Sequence, residues 1–306
     1  MKHLHGYLTV FTFVVTMPSV GTHSPAINQS SSDQRWTFQY DAHSSPQYNK
    51  ALSLLSRYST ILFPSKDDGS YQVLDVGCGT GKITYRIADI FGITQVIGID
   101  RSDEAIATAQ SNNVSAAVEF FVYDAHSLPV EYGSKFKVVT CFAALHWMDN
   151  KHKAIENMAR ALQPGGYLFI YCASIDYSQS ALPNAIKKAL TTPEYQYLLP
   201  DYQQQMETLG VDFATLESLM PSSMQIIEKK LDPRTISFPN KQKYIEWVNA
   251  WAGGIKVLAS LTASEQKNIV EKAVEYYLEE NPLNPDESVE YHGVPGIILL
   301  ARKNFS

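Results

Sequence analysis

From residue 72 onward, short apolar runs alternate with stretches whose apolar positions recur every three or four residues. The runs predict strands over 72–76, 95–100, 117–122, 136–142 and 167–172, and the helical spacing predicts helices over 82–91, 103–112 and 150–161. Each strand run is apolar almost throughout, which suits strands covered on both faces, so the alternation predicts a parallel sheet sandwiched between helices. Upstream, Leu52, Leu55, Tyr58 and Leu62 fall on one face of a helix between Tyr48 and Phe63. Downstream, β-branched residues from Met224 to Ser237 read as a strand, and Lys241 to Ala252 as a helix carrying Trp247 and Trp251. Thr262-Ala263-Ser264-Glu265 is a capping box opening a helix to about Glu280, and 294–302 supplies a last strand. Gly92 and Ser102 stand where helix caps belong, and Pro164-Gly165-Gly166 marks a turn into the strand at 167.

The junction between the first strand and helix carries the chemistry. Val73-Leu74-Asp75-Val76 runs into Gly77-Cys78-Gly79-Thr80-Gly81-Lys82, glycine at every second position. Such spacing permits a tight turn and a close backbone approach to a ligand. Asp100 closes the second strand about twenty residues on, the distance at which an acid reaches ribose hydroxyls. A phosphate-cradling loop is excluded, because Val76 and Ile83 stand where it needs glycine and Ser or Thr. A dinucleotide fingerprint is not met either, since Lys82 occupies its third glycine position.

The G-x-G-x-G run after Asp75 resembles motif I of the class I S-adenosylmethionine-dependent methyltransferases. The resemblance implies a Rossmann-like α/β fold with a seven-stranded sheet in the order 3-2-1-4-5-7-6, strand 7 antiparallel, and S-adenosylmethionine as methyl donor. It implies a donor site made by Asp75, Gly77, Cys78, Gly79, Gly81, Asp100, Arg101, Asp124, Ala125 and Phe142. In that set Asp75 orients the donor's amino group, the glycine amides and the helix start form a donor-rich rim, and Asp124 accepts from the adenine amine.

Leu145-His146-Trp147, together with Tyr40 seven residues ahead of Gln47, looks similar to juvenile hormone acid and trans-aconitate methyltransferases. Those enzymes esterify carboxylates, and the likeness implies that Gln47 and Trp147 donate to an acceptor carboxylate with His146 beside them. A phenol, amine or acidic carbon needs a general base instead, for which His146 is the candidate. Three readings therefore stand at this point: a carboxyl O-methyltransferase, a quinone-type methyltransferase of ring carbon or hydroxyl, and a donor-binding or exported protein without turnover.

Charge and cysteines narrow the partners. With 31 acidic against 25 basic residues the net charge is −6, and no basic run offers a duplex a positive stripe, so a small-molecule acceptor is expected and nucleic acid is not. Cys78, Cys141 and Cys172 show no spacing for a disulfide framework or a metal site, and no metal is expected. Residues 1–24 have the basic start and short apolar run of a secretory signal peptide, the run being too short to span a membrane. The rival is an apolar extension or a start placed ahead of Met17, and a cytoplasmic enzyme with access to its donor is favoured. Residues 25–38 read as a linker, 39–175 as the donor-binding core and 223–306 as elements completing the sheet. Residues 176–222, with Tyr195, Tyr197, Tyr202 and Met206, read either as helix undersides or as an aromatic lid over an apolar pocket.

Overall fold

The computed structural model describes residues 44–64, 71–174 and 180–305. The signal-peptide and linker readings and Tyr40 lie outside the described residues. In chain order the elements are α1 (Ser45–Leu62), β1 (Gln72–Val76), α2 (Lys82–Phe91), β2 (Gln95–Asp100), α3 (Asp103–Ser111), β3 (Val118–Val122), β4 (Phe136–Phe142), α4 (Lys151–Ala161) and β5 (Leu162–Ala173). There follow α5 (Ala181–Ala189), α6 (Leu199–Thr208), α7 (Phe213–Leu219), β6 (Met224–Phe238), α8 (Lys241–Ala252), α9 (Lys256–Ala259), α10 (Ala263–Glu280) and β7 (Val289–Lys303). The sheet order is β3-β2-β1-β4-β5-β7-β6, with β7 antiparallel to both neighbours, as the motif I resemblance implied.

The two-residue period of a strand explains why the runs are apolar throughout. Val73, Val138, Phe169 and Ile298 face a core shared with α1, α2 and α3. Their neighbours Leu74, Val139, Ile170 and Ile297 face the opposite core, where α4 and Leu216 of α7 pack. Side chains alternate across the sheet, and along these central strands neither face meets water. The caps read from sequence are present: Ser102 accepts from the Ala105 amide at 3.1 Å, α2 ends at Gly92 with φ of 65°, and Thr262 and Glu265 form a reciprocal box.

Two boundaries differ from the sequence expectation. The Pro164-Gly165-Gly166 turn is absorbed into β5 as an irregularity, the register against β4 jumping from Phe136↔Leu162 to Val138↔Tyr167. β7 begins at Val289, ahead of Gly293 and Pro295, because the antiparallel partner β6 carries the pairing past them. Asp232 faces Gly296 and Arg234 faces Gly293, so the extra residue sits on β7 around Pro295, where a missing N–H costs no ladder bond. Pairing of β5 with β7 stops at Ala173↔Gly296, so the β6–β7 pair, an antiparallel hairpin whose long connection holds α8, α9 and α10, extends from Arg234 to Phe238 past the carboxyl end of β5.

The aromatic residues of segment 176–222 pack rather than cover a pocket. Tyr195, Tyr202 and Met206 are buried with Trp247, Trp251, Val270 and Tyr277 in a third core. Tyr202 donates to the Pro183 carbonyl at 3.0 Å, and Tyr197 points outward, 64% exposed. None of these four lines either cavity described below.

Candidate active site

Loops at the carboxyl ends of β1, β2, β3 and β4, with the first turn of α1, enclose a cavity of about 220 Å3. This is where a parallel sheet leaves a crevice, at the switch between β1 and β4. We term it the loop cavity. Of the residues expected at a donor site, Asp75, Gly77, Cys78, Gly79, Asp100, Arg101, Asp124, Ala125 and Phe142 line it, and so do Gln47 and Trp147. Gly81 and His146 do not.

The glycine turn holds itself together with its own amides. Gly77 N–H and Cys78 N–H both donate to the Ile99 carbonyl, at 2.8 and 3.0 Å, and Gly81 N–H donates to Cys78 at 3.0 Å. Gly79 N–H donates to Asp100 Oδ2 at 2.9 Å. The donor-rich rim expected from sequence is therefore spent on the turn at these four amides, which rigidifies the loop against β2. The glycines also differ in purpose. A Cβ on Gly77 would stand 2.3 Å from Ala144 Cβ, and one on Gly81 2.5 Å from Phe120 Cζ, so both are needed for packing. A Cβ on Gly79 would meet nothing within 4 Å, and that backbone is bare to the cavity.

The three carboxylates are each fixed by a distinct device. Asp75 is buried and accepts from Thr84 Oγ1 at 2.7 Å and Thr140 Oγ1 at 2.8 Å, which ties β1 to α2 and β4. Burial outweighs those two hydroxyls and lifts its pKa to about 6. Asp100 takes a backbone N–H on each oxygen, Gly79 on Oδ2 and Ser102 on Oδ1 at 3.0 Å, and burial still holds its pKa above the ordinary value. Asp124 caps the short turn after β3, accepting from His126 N–H at 2.8 Å with the His126 ring 2.7 Å away.

A second, larger cavity of about 720 Å3 opens between the start of α1, the end of β5 and the projecting part of β6; we term it the hairpin cavity. Gln47 and Ala143 line both cavities and so form their common wall. Ala143 holds φ of 52°, a strained value for a residue with a Cβ, at the turn that ends β4. His146 belongs to the hairpin cavity. It is 6% exposed, its Nδ1 accepts from the Ala173 amide at 3.4 Å, and its ring lies 5.2 Å from that of Trp147. Burial, aided by the charges of Arg234 and Lys151, lowers its pKa to about 3, so the imidazole is neutral near pH 7.

Sequence reasoning missed the threonine clamp, His126 and the whole basic side of the hairpin cavity. Thr140 carried a signal, being the polar position in Val138-Val139-Thr140-Cys141 and lying opposite Asp75 in the β1–β4 register. Arg234 carried none, since its place depends on where a hairpin from the far end of the chain projects.

The loop cavity suits an adenosyl sulfonium. Carboxylates of Asp100 and Asp124 retain lone pairs for hydroxyl and amino donors, Ile99 and Ala125 offer apolar walls, and bare backbone at Gly79 admits close approach. Residues 67–234, more than half of the chain, match a family model described as a methyltransferase domain, and the chain belongs to that family. With this sheet order it is a class I methyltransferase, the class whose methyl donor is S-adenosylmethionine.

Among curated proteins the chain is similar to the malonyl-[acyl-carrier protein] O-methyltransferase of Hahella chejuensis, 28% identical over 164 residues, covering 53% of this chain and 56% of that one. It is also similar to the ubiquinone biosynthesis O-methyltransferase of Shewanella pealeana, 34% identical over 100 residues, 32% of this chain and 42% of that one. The chain spans about half the length of the curated relatives it matches. Among solved structures, the phosphoethanolamine N-methyltransferase 2 of Haemonchus contortus, with S-adenosylhomocysteine bound, shares the fold. Its TM-score is 0.54 at 17% identity, covering 89% of this chain and 58% of that one. Among the described residues no helix is long and apolar enough to cross a membrane.

Proposed function

We propose that this methyltransferase esterifies a carboxylate of a small acid, with the donor in the loop cavity and the acceptor in the hairpin cavity. The observation that carries the reading is Gln47. Its amide stands in the wall common to both cavities, and its Oε1 is buried without a hydrogen-bond partner among the described residues. A buried amide left unpaired costs about 1–3 kcal/mol, and such a cost at a cavity wall points to a ligand that removes it. The two ends of a glutamine amide are interchangeable by rotation, so the same group presents its NH2 to a carboxylate oxygen. Trp147 lines the loop cavity as Gln47 does and brings an indole N–H.

When bound, the donor supplies an electrophilic methyl group on a sulfonium sulfur. A carboxylate is ionised near neutral pH and needs only to be positioned and kept from water. Hydroxyl or carbon acceptors need a base, and His146 is poorly suited: its Nδ1 accepts from Ala173 N–H and its pKa is near 3. The O-methyltransferase of malonyl-[acyl-carrier protein] among the relatives is in keeping with the carboxylate reading.

The test uses donor labelled in its methyl group and a broad panel of acids. Label should appear in a product that releases methanol in mild alkali. Gln47→Leu should lower kcat/KM by about one to two orders of magnitude while leaving affinity for S-adenosylhomocysteine unchanged. Label that survives alkali would replace this reading with methylation of a ring carbon or hydroxyl.

A further inference from the structure

The hairpin cavity has a one-sided charge. Lys50, Arg234 and Lys243 line it, and no Asp or Glu does among the described residues, although the chain as a whole is acidic. Two of the three cations are already paired. Lys50 bridges to Asp232, and Lys243 lies 2.7 Å from Glu246. Arg234 has no carboxylate partner among the described residues; its guanidinium stands 5.9 Å from the centre of the Trp247 ring, half-buried. A partly desolvated guanidinium backed by an indole and lacking an anion is a receptor for a planar or tetrahedral oxyanion, which its forked donors meet two at a time.

The position is as telling as the charge. Arg234 lies on the part of β6 that runs past β5 and lines the same cavity as Gln47 of α1, and Ile236, Phe238 and Trp247 supply apolar wall there. A ligand in this space therefore meets the Gln47 amide, apolar wall and a cation without a carboxylate partner among the described residues.

We propose that Arg234 anchors a second oxyanion of the acceptor, so that the substrate class is an acid bearing two anionic groups, one methylated beside Gln47 and one held by Arg234. The second group is a carboxylate or a phosphate-type oxyanion, both of which suit the guanidinium fork. The assignment of the methylated end rests on the carboxylate reading above; the anion site does not.

Binding separates the two. A series of α,ω-diacids, the matching ω-phosphono acids and monocarboxylic acids of equal length are titrated calorimetrically into protein saturated with S-adenosylhomocysteine. Wild type should bind the diacid or the phosphono acid about tenfold or more tightly than the monoacid, and the better arm identifies the oxyanion. Arg234→Gln should erase that margin, Arg234→Lys should keep part of it, and both should bind S-adenosylhomocysteine as wild type does, which verifies their fold. A margin that persists in Arg234→Gln, or a wild type with no margin in either arm, overturns the proposal. If the margin holds while no acid becomes an ester, the carboxylate reading falls and the anion site stands.

Discussion

Replacing His146 with Gln tests the step that excludes a general base. Gln keeps an acceptor for the Ala173 amide and removes the titrating ring. In the folded protein His146 takes a proton only near pH 3, whereas its ordinary value is 6.5. The unfolded chain thus binds a proton that the folded chain refuses, and stability is lost as pH falls from 6.5 toward 3. The full difference is ~5 kcal/mol, of which ~2 kcal/mol is spent between about pH 7 and pH 5. Asp75 acts the other way: its pKa is raised from 3.8 to about 6, so the folded state holds the extra proton and gains ~1 kcal/mol over the same interval. Wild type alone would show a shallow profile, and the informative quantity is the difference between wild type and His146→Gln. Urea denaturation at the two pH values should show the variant losing ~2 kcal/mol less than wild type on acidification. Equal losses would mean that His146 titrates near its ordinary value. The imidazole would then be available as a base, and a hydroxyl or acidic carbon would be as good an acceptor as a carboxylate.

Other perturbations separate the parts of the site. Thr140→Val removes one of the two hydroxyls on the Asp75 carboxylate and raises its pKa further, so the destabilisation should be about 1–3 kcal/mol near pH 8 and should shrink as Asp75 is protonated. Denaturation at several pH values checks this, and a penalty independent of pH would contradict it. Gly79→Ala and Gly81→Ala should diverge. The first adds a methyl to open space in the cavity at φ of 54°, costing about 1–2 kcal/mol of stability while weakening S-adenosylhomocysteine. The second drives a methyl into Phe120 and should cost more stability, with a smaller effect on the affinity of the protein that remains folded.

The fold was legible because strand runs buried on both faces are continuous in sequence, and because the caps at Ser102 and Thr262 are local devices. That Asp100 and Asp124 border the cavity was legible for a related reason: one ends β2 and the other lies two residues past β3, and the carboxyl ends of parallel strands converge on one crevice. What the local pattern hides is which polar groups are already committed. The alternate glycines look like three equal openings, yet tertiary neighbours leave no room for a Cβ at Gly77 or Gly81, and only Gly79 has open space beside it. The cluster around Tyr202 has the composition of a lid, and only the placement of α8 and α10 makes it core. Arg234 illustrates the limit most plainly, because its meaning comes from a hairpin paired to a strand some sixty residues later.

The measurement that bears most directly on the central claim is a calorimetric titration of the folded protein with S-adenosylhomocysteine, repeated on Asp100→Ala. The carboxylate is held by Gly79 N–H and Ser102 N–H and faces the loop cavity, so wild type should bind at one site and the variant should bind at least about tenfold more weakly. Absence of heat with wild type, or an affinity unchanged in Asp100→Ala, would contradict the placement of the methyl donor.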